Sequence, residues 1–210
     1  MRVRSTSLDG PLLLEPVIHG DDRGFFVETF RHDDLPGLDL GDGVDFVQDN
    51  HSRSRRAVVR GMHFQLGDGI AKLVRCARGA ILDVVVDLRR GSPHFGRWEA
   101  FTLDDETHAQ LLVPVGFAHG FCVLSDVADV IYRQTGYYDP ALERSVAYDD
   151  PEIGIDWPVA PAERIVSARD ASAPALAEVT PELPFRYAAG ARARARARAR
   201  AGAGAGSPPR

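Results

Sequence analysis

Between residues 12 and 135 the chain consists of short apolar runs rich in β-branched and aromatic side chains, and no stretch of comparable length carries a 3.6-residue apolar period. Strand-like runs with turn residues between them predict an all-β sandwich or barrel. Strands are expected at residues 12–18, 24–30, 46–52, 73–76, 81–88, 95–103, 110–115, 118–124 and 127–135. The run Ile81-Leu82-Asp83-Val84-Val85-Val86-Asp87-Leu88 is the strongest, because consecutive valines suit a pleated surface. Residues 31–45 are polar and rich in Asp, Gly and Pro, which predicts a loop with at most one helical turn. Helix is expected only in short peripheral pieces near residues 141–144 and 175–178.

With 210 residues, 44% of them hydrophobic, the chain fits one globular domain, expected over residues 1–187. Residues 188–210 turn abruptly to Ala-Arg and then Ala-Gly alternation, a tail with no apolar face to bury and therefore expected to be disordered. Residues 191–210 hold six arginines and no acid, so the formal net charge of −5 becomes −11 for residues 1–190. An acidic body argues against nucleic acid as a partner. An anion bound by such a body must be held by a few placed cations. No run of about 18 apolar residues exists to span a membrane, and no apolar segment follows the first residues, so the chain is read as cytoplasmic. Cys76 and Cys122, each in a strand-like apolar context, are expected as small buried residues rather than a disulfide.

Within Val58-Val59-Arg60-Gly61-Met62-His63-Phe64-Gln65, a cation and an imidazole interrupt an apolar run. Strict alternation would put Arg60 and His63 on opposite faces of a strand. A glycine inside a strand commonly marks a bulge, and one extra residue at Gly61 would bring the two to the same side. The bland alternative is a hydrogen-bonded core histidine. An arginine three residues before, which needs an anion, and Gln65 on the histidine's face favour a functional site.

A second constellation, Pro114-x-Gly116-x-x-His119, resembles the second metal motif of the cupin barrels, double-sheet jelly rolls. Metal-binding cupins usually present His-x-His in the first motif, since residues i and i+2 of a strand face the same way. Here the pair is His63-x-Gln65, and Val123 stands where the second motif often has Asn, so a cupin without catalytic metal is expected. Acid and base must then be side chains. Tyr132 shares a strand face with Val130 and Gln134 and could donate a proton, or could simply line the barrel. Asp170, in Ser167-Ala168-Arg169-Asp170, could orient His63, or could cap a loop. Lys72 and His119 flank strand-like runs, and Asp83 points inward if its strand alternates from a buried Val85.

Taken together these residues resemble the dTDP-4-dehydrorhamnose 3,5-epimerase family. The motifs that carry the likeness are Asp22-Arg23-Gly24-Phe25-Phe26-x-Glu28, Gln48-Asp49-Asn50-His51-Ser52-x-Ser54, Arg60-Gly61-Met62-His63-Phe64-Gln65, Ala71-Lys72-Leu73-Val74, Asp83 to Pro93, Pro114 to Phe121, Tyr137-Tyr138-x-Pro140 and Ser167-x-Arg169-Asp170. The resemblance spans about residues 8–185 and implies a cupin-type jelly-roll barrel acting on a dTDP-sugar with a keto group at C4. It implies that His63, supported by Asp170, abstracts the protons α to that carbonyl, that Tyr132 returns a proton from the opposite face, and that Lys72, with His119, stabilises the enolate oxygen. Arg23 and Arg60 would hold the pyrophosphate. Phe26, Glu28, Gln48, Asp49, Asn50 and Tyr138 would meet the thymine and sugar, with Glu143 and Arg169 at the rim. No cofactor is implied. A homodimer with exchanged strands is, so that some N-terminal contacts would be made in trans. Met62 and Phe64 replace the commoner Leu and Tyr of the histidine motif, conservative in volume.

Single epimerisation at C3 or C5 is an open alternative. More remote ones are a metal-dependent cupin using His63 and His119, which would carry near one equivalent of metal, and a non-enzymatic sugar-nucleotide binding module, which deletion of residues 188–210 would weaken.

Overall fold

The computed structural model describes residues 2–4, 6–33 and 44–188. Most of the arginine-rich tail lies outside these residues. The strands are β1 (Arg2–Arg4), β2 (Leu12–Glu15), β3 (Ile18–Asp21), β4 (Gly24–Val27), β5 (Gln48–Arg55), β6 (Val59–Gln65), β7 (Lys72–Arg78), β8 (Ala80–Asp87), β9 (Trp98–Asp104), β10 (Gln110–Val113), β11 (Phe117–Val123), β12 (Val127–Gln134) and β13 (Glu143–Ser145). They form one sheet in the order β1-β2-β10-β7-β12-β5, a second in the order β13-β6-β11-β8-β9, and the hairpin β3-β4. Every strand pairing is antiparallel. Two facing antiparallel sheets make the expected jelly-roll barrel.

Both faces of β8 are buried, which is why its sequence reads as a nearly unbroken apolar run. Ile81 and Val85 face the space between the sheets, with Val74, Val130 and Phe121. Val84 and Val86 face outward into a second core with Val59, Met62 and Phe64, and this core is closed by Trp157, Leu176, Val179, Leu183 and Phe185 of the C-terminal segment. Burying one such side chain is worth about 1.5–3 kcal/mol, so this segment is anchored to the outer face of the second sheet.

Among the described residues helix is confined to single turns, among them α1 (Ala168–Ala171) and α2 (Leu176–Val179). The second matches the piece expected near residues 175–178. The piece expected near 141–144 does not form. Its residues run into β13, where Glu143 pairs with Gln65 and Ser145 with His63. Helix propensity is a weak prior, and the open edge of β6 decides the backbone here. Residues 12–18, expected as one strand, divide at Pro16, which has no N–H to give a ladder.

Candidate active site

The bulge foreseen at Gly61 is present. His119 pairs with His63 and Phe121 with Arg60, so two steps on β11 are matched by three on β6. Val59 and Met62, three apart, consequently share the outer core. Arg60 and His63 then face the interior together. Gly61 has φ 129, and a Cβ there would lie 2.6 Å from Gly120 Cα, so only glycine fits.

The Gly61 amide, displaced from the ladder, donates to Asp170 Oδ2 at 3.3 Å, while Asp170 Oδ1 lies 2.7 Å from His63 Nε2. Asp170 is 4% exposed and sits on α1, whose turn is capped by Ser167 Oγ accepting from the Asp170 amide at 3.0 Å. Burial pushes the Asp170 carboxyl up, but the His63 hydrogen bond and charge, the Gly61 amide and Ser167 outweigh it and hold it below the usual value. An ionised Asp170 takes the Nε2 proton as its hydrogen bond, so the lone pair of a neutral His63 resides on Nδ1.

Opposite His63 in the ladder, His119 forms a second pair: its Nε2 lies 3.0 Å from both oxygens of Asp83. Asp83 is fully buried. A carboxylate inside an apolar strand needs a partner, and that signal was in the sequence, but the partner was not.

The facing sheet contributes Lys72 from β7 and Tyr132 from β12. The Lys72 ammonium lies 5.9 Å from the Tyr132 ring centroid. Burial pushes Lys72 down to about 8, against the pull of the Glu143 and Asp83 carboxylates. Tyr132 is raised by burial and by Glu143, with Arg60 acting in the opposite direction. Glu143 also interacts electrostatically with His63, so its carboxylate ties the two walls into one interior. Glu143 Oε2 accepts from Tyr138 Oη at 2.7 Å and lies 2.7 Å from Arg169 Nη1. Burial opposes its ionisation, but Arg169 and Tyr138 hold its pKa below the usual value. Arg60 Nε donates to Ser54 Oγ at 3.0 Å, leaving the rest of its guanidinium fork for an anion.

On β5, Gln48 and Asn50 share the face that pairs Tyr132 with Asn50. Gln48 donates to Asn50 Oδ1 at 2.9 Å and accepts from the Tyr138 amide at 3.0 Å. Among the described residues Asn50 Nδ2 and Ser52 Oγ are buried without a hydrogen-bond partner, two polar atoms on the interior face of β5.

Asp49 does not join this group. It alternates to the outer face of its sheet, where it pairs with Arg133 at 3.4 Å and lines a cleft with Arg75 and Gln110. Arg23, Phe26 and Glu28 are also apart from it. Arg23 pairs with Asp21 within the β3-β4 hairpin and Glu28 with Arg31. Phe25 of that hairpin stacks on His108, 4.4 Å between centroids. His108 precedes β10, whose far end, Val113, is the one that pairs with Lys72.

Gln65 faces the mouth. Its amide is taken up by backbone on both sides of Tyr138, and among the described residues no group of three His, Cys, Asp or Glu side chains is placed to hold a metal.

The protein-family comparison matches residues 5–178 to dTDP-4-dehydrorhamnose 3,5-epimerase. A curated enzyme of that name from Salmonella typhimurium is 47% identical over 177 residues, 84% of this chain and 96% of that one. A Streptomyces niveus relative named dTDP-4-dehydrorhamnose 3-epimerase is 43% identical over 179 residues, 85% of each chain. Among solved structures, the dTDP-6-deoxy-D-glucose-3,5-epimerase of Legionella pneumophila, crystallised with dTDP-4-keto-L-rhamnose, superposes with TM-score 0.84 at 44% identity, covering 90% of this chain and 99% of that one. With the barrel, two histidine–aspartate pairs and a facing tyrosine and lysine set beside these likenesses, the chain belongs to the dTDP-4-dehydrorhamnose 3,5-epimerase family.

Proposed function

We propose that the protein converts dTDP-4-keto-6-deoxy-D-glucose to dTDP-4-keto-L-rhamnose, inverting C3 and C5 in dTDP-rhamnose or related deoxysugar biosynthesis. One observation carries the reading: His63 and Tyr132 stand on opposite sheets, and the Glu143 carboxylate acts on both. Both carbons are α to the C4 carbonyl, so removing either proton gives an enolate. His63 takes the proton, with Asp170 holding the ring and stabilising the imidazolium. Tyr132 returns a proton from the other face, which inverts the carbon. Lys72 and His119 stabilise the oxygen where charge develops. Arg60 holds the pyrophosphate, and Asn50, Tyr138, Glu143 and Arg169 meet the rest of the ligand.

The test is incubation in D2O with NMR reading of deuterium at C3 and C5. Exchange at both carbons is expected, and exchange at neither overturns the reading. The 43% identity to an enzyme named as a 3-epimerase supports a second reading, single inversion, which exchange at one carbon would select.

The reading extends to a homodimer with exchanged strands, in which the hairpin brings Arg23, Phe26 and Glu28 to the partner's interior. Support comes from the hairpin's exposed Phe25 and Phe26, 61% and 69% accessible, and from β5, which leaves an open sheet edge. Light scattering at micromolar concentration should give twice the 22.9 kDa chain mass, and a single-chain mass overturns the dimer. The proposed compartment is the cytoplasm, whose reducing environment suits the buried free thiols of Cys76 and Cys122. No helix of the described residues is long and apolar enough to cross a membrane.

A further inference from the structure

The segment Gly136 to Asp139, which crosses the mouth between β12 and β13, is held at its backbone by glutamine side chains from three strands. Gln134 Nε2 donates to the Gly136 carbonyl at 3.0 Å. Gln48 Oε1 accepts from the Tyr138 amide at 3.0 Å. Gln65 does more: its Nε2 donates to the Tyr137 carbonyl at 3.4 Å and its Oε1 accepts from the Asp139 amide at 3.1 Å. One carboxamide thus pairs with the backbone on both flanks of Tyr138, as a neighbouring strand's peptide group would. Tyr138 itself is 50% exposed, and its hydroxyl is fixed on Glu143, the residue that pairs with Gln65 in the ladder.

We propose that Gln65 is a positioning residue: it clamps the mouth segment so that Tyr138 and Glu143 are presented to the nucleotide-sugar as one preformed wall. The proposal rests on reading this interior as the dTDP-sugar site. It also accounts for the Gln in His63-x-Gln65, since a residue two after the base shares its face and reaches the rim. A preordered segment lowers the ordering cost of binding without entering the proton transfers. Gln65 therefore acts on KM through Tyr138, its hydrogen bonds going to the Tyr137 carbonyl and the Asp139 amide.

The experiment uses the full chain carrying Gln65→Met, close in volume but unable to make either bond. With two hydrogen bonds lost, the KM for the 4-keto sugar nucleotide is expected to rise about thirtyfold, with kcat within about threefold of wild type. The Asp139 amide, which loses one of the two, should exchange with solvent about fivefold faster in NMR. An unchanged KM overturns the proposal, whatever the exchange rate, and so does a fall in kcat as large as the fall in kcat/KM. Should Gln65→Met not fold, Gln134→Met, which frees the Gly136 carbonyl at the other end of the segment, should raise KM in the same direction by about fivefold, for one bond lost. If wild-type protein turns over no dTDP-sugar while the Asp139 amide still responds to Gln65→Met, the clamp stands and the epimerase reading is what fails.

Discussion

His63→Ala is expected to abolish deuterium incorporation at both C3 and C5, lowering kcat by about 10⁴, the upper end of what a positioned general base supplies. His63 is the imidazole that Asp170 orients, at 2.7 Å. His119, held in the same way by the buried Asp83 at 3.0 Å, is assigned to the enolate oxygen, so exchange that survives in His63→Ala would point to His119. The variant should still fold, because Asp170 keeps the Gly61 amide and its place on the Ser167 cap. Tyr132→Phe provides the contrast. It leaves the base in place, so deuterium should still enter, but only from the His63 side, which restores the original configuration and yields little inverted product. If His63→Ala retained exchange within tenfold of wild type while remaining folded, the base would have to be sought elsewhere.

Lys72→Met is expected to act in opposite directions on rate and stability. Removing one donor from a developing oxyanion costs about 10²–10³ in kcat. The same substitution should raise the melting temperature. Burial holds the Lys72 amine at about 8, below the ordinary 10.5, so the unfolded chain binds this proton more tightly than the folded one. Below pH 8 the amine is charged in both states and its penalty is fully present, up to about 3 kcal/mol. Between pH 8 and 10.5 unfolding takes up a proton, and wild-type stability gains with rising pH. Lys72→Met should lose that dependence and melt about 5 °C or more above wild type at pH 7. Wild-type turnover should also decline as pH rises through about 8, because the ammonium that stabilises the enolate is being lost. Calorimetry and a pH–rate profile check both arms. A lower melting temperature for Lys72→Met at pH 7 would show that its ion pairing outweighs its desolvation.

The sheets were legible because burial on one face leaves a two-residue period and burial on both leaves a β-branched run. Residues 81–88 show the second pattern and became β8, with Asp83 inward as alternation requires. Asp49 is instructive. Alternation puts it on the face opposite Asn50, and that is where it lies, paired with Arg133. A motif read as a block had grouped it with its neighbours, although the strand period already separated them. The β13 segment was unreadable for a different reason. Ala141-Leu142-Glu143-Arg144 suits a helical turn locally, and only the unpaired edge of β6 draws it into a sheet.

By itself the sequence determined most of the central strands, their inward faces and the glycine that lets Arg60 and His63 share one side. These are local properties, set by alternation, propensity and the missing Cβ of Gly61. Only the tertiary structure decided which other groups meet: Asp83 with His119, Asp170 with the Gly61 amide, Glu143 with Arg169 and Tyr138, and Gln65 with the segment around Tyr138. Apart from Glu143 and Tyr138, these partners lie far apart along the chain or on different strands. Local pattern carries no information about them, and the packing of two twisted sheets chooses them.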